Sequence, residues 1–173
     1  MKYAVVYSSR TGNTALLAQA LKKALPESDC LYFGSPASDT AAEAAERADL
    51  IFTGFWTDKG DCAGDISGFL EKLRNKNIFL FGTAGFGGEP TYFDRIVQRV
   101  RQHTDASDTV VGSYMCQGKM PLSVRQRYES QLAQNPERTQ QLLDNFDAAQ
   151  SHPDEQDAEK LVRLAAGYIR QLQ

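Results

Sequence analysis

Short, continuously apolar stretches alternate along the chain with longer stretches in which apolar residues recur every three or four positions. Residues 3–7, 30–33, 50–55, 78–81 and 109–115 form runs rich in Val, Ile, Leu, Phe and Tyr, the pattern of strands buried on both faces. Between them, 13–25, 40–47, 66–74 and 92–102 carry the spacing of helices. The first helix presents Leu16, Leu17, Ala20, Leu21 and Ala24 as a core stripe, and Pro26 stops it. The second, rich in Ala and Glu, reads as a solvated surface element. Strands alternating with helices on short connections predict an α/β fold, a three-layer sandwich around a five-stranded parallel sheet. Right-handed crossovers restrict the topology, 2-1-3-4-5 is the expected order among the doubly wound ones they leave, and ligands in such sheets sit beyond the carboxyl ends of the strands. The chemistry is therefore expected in the loops after strands 1, 3 and 4.

The pattern changes after the fifth strand. Residues 122–132 and 137–146 read as polar helices divided by Asn135 and Pro136, and Ser151, His152 and Pro153 make a second break. A closing helix over 154–172 carries Leu161, Leu164, Ala165, Tyr168 and Leu172 on one face. A single domain over 1–173 is expected, with a core in 1–116 and a helical extension in 117–173. The extension reads either as a cover for the sheet edge or as a docking surface or lid, with Lys119, Arg125 and Arg127 as its contacts.

Composition narrows the function. A hydrophobic content of 42% over 173 residues suffices for one sizeable core. The net charge of −3 leaves no footprint for nucleic acid and no basic stripe for a membrane surface, and its small acidic excess is compatible with a basic redox partner. Cys30, Cys62 and Cys116 have neither paired spacing nor a histidine cluster beside them, so neither a disulfide framework nor a metal site is expected. Cys116 reads as a buried apolar residue, and His103 and His152 as surface residues. The chain opens directly on a strand, and no run approaches the roughly 18 apolar residues of a membrane span. A cytoplasmic, reducing setting is expected.

The turn after the first strand holds the sharpest chemistry: Ser8, Ser9, Arg10, Thr11, Gly12, Asn13 and Thr14, then a helix. A helix start has unpartnered N–H groups and the positive end of the macrodipole, so an anionic group finds donors and field together. Hydroxyls from Ser8, Ser9, Thr11 and Thr14 add donors, and Gly12 lets the backbone approach closely. A Ser/Thr-rich capping turn with no ligand is the plainer alternative.

With Val5, Val6 and Tyr7 before it and Ala18 and Leu21 after it, this turn resembles the phosphate loop of the flavodoxin family. The resemblance implies FMN as cofactor, its 5′-phosphate held by Ser9, Arg10, Thr11, Gly12, Asn13 and Thr14. Arg10 departs from a usually small position and implies either a charge-assisted phosphate contact or a solvent-facing side chain. After strand 3, the family comparison implies Trp56 against the flavin ring, with Thr57 and Lys59 beside it and Gly60-Asp61 as a peptide able to flip near flavin N5. After strand 4, it implies backbone contacts from Thr83, Ala84 and Gly85, with Phe86 or Tyr92 over the other ring face. Asp58 and Asp61 near an anionic reduced ring imply a low-potential couple, which Lys59 opposes.

The resemblance is to flavodoxin-family electron carriers of anaerobic bacteria and to the flavodoxin-like proteins that accompany bilirubin reductases. It implies an FMN-binding, single-electron shuttle to a partner reductase, with no catalytic acid or base. The rivals are an FMN-dependent NAD(P)H quinone or flavin reductase, in which the extension shapes a substrate pocket, and a flavin-free interaction module.

Overall fold

Five parallel strands form the centre of the molecule: β1 (Tyr3–Tyr7), β2 (Cys30–Gly34), β3 (Leu50–Asp58), β5 (Asn77–Ala84) and β6 (Thr109–Gln117). They lie in the order β2-β1-β3-β5-β6, and a two-residue strand β4 (Asp61–Cys62) folds back antiparallel on β3. With that small strand set aside, the order is the expected 2-1-3-4-5. The structure is a computed structural model describing residues 1–87 and 89–171; Gly88 and Leu172, the latter expected on the closing helix, lie outside the described residues.

The alternation of side chains along each strand sorts the core into two layers. Ala4, Val6, Ile51, Phe55, Ile78 and Leu80 pack against α2 (Asp39–Arg47), α3 (Gly64–Leu70) and α4 (Pro90–Arg101). Tyr3, Val5, Phe52, Phe79 and Phe81 face the other way, onto α1 (Asn13–Ala24) and α7 (Glu155–Gln171). The solvated helix of the sequence reading is only half so, because Ala41, Ala44 and Ala45 of α2 are buried. Two glycines let the central strands carry large aromatics where the site begins. A Cβ on Gly54 would lie 2.3 Å from Phe81, its register partner, and one on Gly82 would lie 2.6 Å from Phe55, its own partner.

β3 runs three residues past the apolar run that announced it. Trp56 still pairs with Thr83 of β5, while Thr57 and Asp58 pair with Cys62 and Asp61 of β4. Lys59 (φ 51°) and Gly60 (φ 84°) make the turn between them, both left-handed, as two-residue hairpins require. In the extension, α5 (Leu122–Glu129) and α6 (Pro136–Ala149) are less polar than their sequences suggest. Tyr128, Leu143 and Phe146 form a small core of their own with Met120, Val124 and Leu142 against them. No helix among the described residues is long and apolar enough to cross a membrane.

Candidate functional site

A cavity of about 530 Å³ opens at the carboxyl ends of β1, β3 and β5, walled by four segments. The first is the turn into α1. Gly12 caps the helix with φ +91° and no side chain, Leu16 N–H donates to its carbonyl (3.0 Å), and Ala15 N–H donates to Ser9 Oγ (3.2 Å). The N–H groups of Asn13 and Thr14 fall in the first turn, where helix geometry offers no partner, and that turn has no acidic residue to offset the dipole.

The hydroxyl of Thr14 does something other than the sequence predicts. Thr14 is fully buried, its Oγ1 donating to the Phe55 carbonyl (3.1 Å) and lying 3.2 Å from Thr83 Oγ1. Its hydroxyl locks the loop to β3 and β5, so of Thr14 only the backbone N–H remains for an anion. Arg10 is exposed to solvent, one of its two expected positions, with its guanidinium 5.3 Å from the centre of the Trp56 ring.

The second wall is Trp56 to Lys59 and the third Thr83 to Gly85. The fourth, which the sequence reading did not find beyond Lys119 and Arg127, comes from Gly118, Met120, Pro121, Ser123 and Val124. Its signal was positional: this segment leaves the carboxyl end of β6, the same edge as the other three loops. Close packing holds it there. Asn13 Nδ2 donates to Thr11 Oγ1 (3.2 Å) and to the Lys119 carbonyl (2.9 Å), and Gly118 N–H donates to the Ala84 carbonyl (2.9 Å). A Cβ on Gly85 would lie 2.7 Å from Met120 Sδ. Gln117 Nε2 and Asn145 Nδ2 both donate to the Gly85 carbonyl, at 3.1 and 3.0 Å, which ties α6 to the third wall.

The structure thus gathers Ser9, Arg10, Thr11, Asn13, Thr14, Trp56, Thr57, Lys59, Thr83, Ala84 and Gly85 around one cavity. Five expected residues stand apart. Asp61 is drawn off by His103, whose Nε2 lies 3.1 and 3.2 Å from its two oxygens, and it also accepts from Cys62 N–H. Gly60 and Tyr92 line a separate groove over α4 with Arg95 and Arg99. Phe86 packs edge-on against Tyr92, ring centres 6.2 Å apart. Neither aromatic is part of the cavity lining, to which Met120 and Val124 add apolar surface. Gly12 lies behind the loop, on a smaller recess shared with His152. Within the expected flipping peptide, Asp61 pairs with Asp58 in the β3–β4 ladder, while the Lys59–Gly60 peptide forms the centre of the turn. Arg125 is engaged by Glu129 and Asp147 outside the cavity.

Both histidines are half-buried and paired rather than free at the surface: His103 with Asp61 and Glu71, His152 with Asp157. Burial disfavours the thiolate at two of the cysteines. Burial, reinforced by Asp61, pushes Cys62 up to about 12, and burial raises Cys116 as well.

A model of the flavodoxin domain family matches residues 4–166, most of the extension included. The chain belongs to the flavodoxin family. Among its relatives, the flavodoxin-like domain-containing protein BilS of Clostridium symbiosum is 44% identical over 168 residues, 89% of this chain and 88% of that one. The protein of the same name from Clostridioides difficile is 34% identical over 159 residues, 91% and 90% of the two chains. The crystal structure of oxidised Flavodoxin 1 from Bacillus cereus shares the fold over the whole of both chains at 17% identity, with a TM-score of 0.60.

The cofactor of the flavodoxin family is FMN, and the residues present fit it. The cavity has the volume of a small-molecule site. Thr57 Oγ1 and Asn13 Oδ1 are buried without a partner among the described residues, and a ligand of mixed donors and acceptors is what such groups want. The α1 N-terminus supplies the anion end.

Proposed function

We propose that this flavodoxin carries single electrons on FMN and delivers them to a partner reductase. The observation that supports this most is the chemistry of the lining. It offers hydroxyls, backbone groups, cations and a thioether, with no His, Cys or Glu, and its one carboxylate, Asp58, is exposed. Such a wall binds and orients a cofactor but gives a substrate no buried acid or base. When bound, FMN supplies reversible uptake and release of electrons. The chain's part is to hold the phosphate on the N–H groups of Asn13 and Thr14, to stack Trp56 beside the ring, and to keep water out with Met120 and Val124. The Lys59–Gly60 peptide, at the centre of the turn, is placed to make or release one backbone hydrogen bond with the redox state.

The low potential expected from Asp58 and Asp61 loses half its support, since Asp61 faces His103. Arg10, Lys59, Lys119 and Arg127 favour an anionic reduced ring instead, so we propose a potential above that expectation.

The fourth wall is the one observation that favours the rival, an NAD(P)H-dependent reductase with its own substrate pocket. Anaerobic mixing separates the two. A carrier stays oxidised with NADH or NADPH alone and bleaches when a partner reductase is added; rapid bleaching by NAD(P)H alone makes it the enzyme. The resemblance to proteins that accompany bilirubin reductases makes such a reductase the first partner to add.

A further inference from the structure

The mouth of the cavity carries mostly one sign of charge. Arg10, Lys59, Lys119 and Arg127 all line it and are all exposed, against the single carboxylate of Asp58. None of the four forms an ion pair among the described residues. Asp61 is paired with His103, and Glu129 and Asp147 with Arg125. This concentration stands on a chain whose net charge is −3, so it is a local feature and not a reflection of composition. Beside it, Leu122 projects with 69% of its surface exposed, between Pro121 and Ser123 of the cavity wall.

Exposed cations without ion-pair partners, next to an exposed apolar side chain, have the make-up of a transient interface, in which the charges steer the encounter and the apolar contact completes it. Exposed ammonium and guanidinium groups stay hydrated, so they act over about a Debye length on the rate of encounter more than on final affinity. We infer that this mouth is a docking surface for a redox protein whose electron-exchanging face is acidic. The inference rests on the electron-carrier reading and reverses the sign of partner suggested by the net charge. Bound FMN offsets part of the positive charge, so the field is measured on the loaded protein.

Reduced, FMN-loaded protein is mixed without oxygen with ferricyanide, an anionic oxidant, and separately with hexaamminecobalt(III), a cationic one, over a range of salt. Oxidation by ferricyanide slows as salt rises and oxidation by hexaamminecobalt(III) speeds up. Lys119→Glu and Arg127→Glu flatten or reverse both slopes and slow the ferricyanide reaction several-fold at low salt. Should a charge reversal lose FMN, Lys119→Gln and Arg127→Gln give the same reading with smaller changes in slope. Wild-type slopes of the opposite sign, or slopes that no variant alters, overturn the inference and leave the carrier reading standing. Reduced protein that passes electrons to neither oxidant overturns both.

Discussion

Gly12 and Thr14 sit two residues apart in one loop and serve it in opposite ways. At Gly12 the demand is on the backbone: φ is +91° and nothing lies within 4 Å of a Cβ built there. Gly12→Ala therefore meets strain without a clash, at about 1–2 kcal/mol. Urea unfolding should report that loss, and a fluorescence titration should show FMN bound about tenfold more weakly where the strain is relieved by loop movement. At Thr14 the demand is on the hydroxyl, which faces the core. Thr14→Val leaves the Phe55 carbonyl without its side-chain donor and Thr83 Oγ1 without its polar neighbour, a cost of about 1–3 kcal/mol in unfolding, with FMN affinity little changed. A phosphate ligand would show the reverse. This is where the sequence was least legible. A run of hydroxyls names the loop but not which hydroxyl turns inward, because that depends on how close β3 and β5 come.

At the scale of elements, the strands were readable because burial on both faces demands unbroken apolar runs. The β3–β4 hairpin was not, since Thr57, Asp58, Lys59, Gly60 and Asp61 have loop composition, and only the two-residue turn chemistry of Lys59-Gly60 gives it away. Nor was the fourth wall, because the bond that holds it, from Asn13 to the Lys119 carbonyl, spans 106 positions of sequence. The entry to α7 rests on a similar long-range network. Asp157 accepts from Tyr114 Oη (3.2 Å) and from Asp154 N–H (3.0 Å), and His152 Nδ1 lies 2.6 Å from it. Burial alone would raise its carboxyl, but the His152 and Asp154 hydrogen bonds and the His152 charge outweigh that and hold it below the ordinary value. A carboxyl lowered on folding stabilises above its unfolded pKa, and that support is lost as pH falls through the lowered folded value. Thermal melts should show wild-type stability declining below about pH 4, and Asp157→Asn should be less stable near neutrality and decline less over the acid range.

At the scale of the whole molecule, the sequence gives the sum of charges but not their arrangement. A chain with net charge −3 gathers four of its cations at the one opening where a cofactor and a partner meet. The same edge of the sheet collects all four walls, as the carboxyl-end rule requires of a doubly wound sheet, and it puts the phosphate end on α1 and the ring end by the hairpin. That division of labour is the centre of the account, and one comparison tests it: titrating the flavin-free protein with FMN and, separately, with riboflavin, which has the ring but no phosphate, following flavin fluorescence. The account predicts saturable quenching by both, with riboflavin bound at least about a hundredfold more weakly, the weight of a helix N-terminus and its hydrogen bonds on a phosphate dianion. Equal affinity for the two flavins, or no quenching by either, would contradict it.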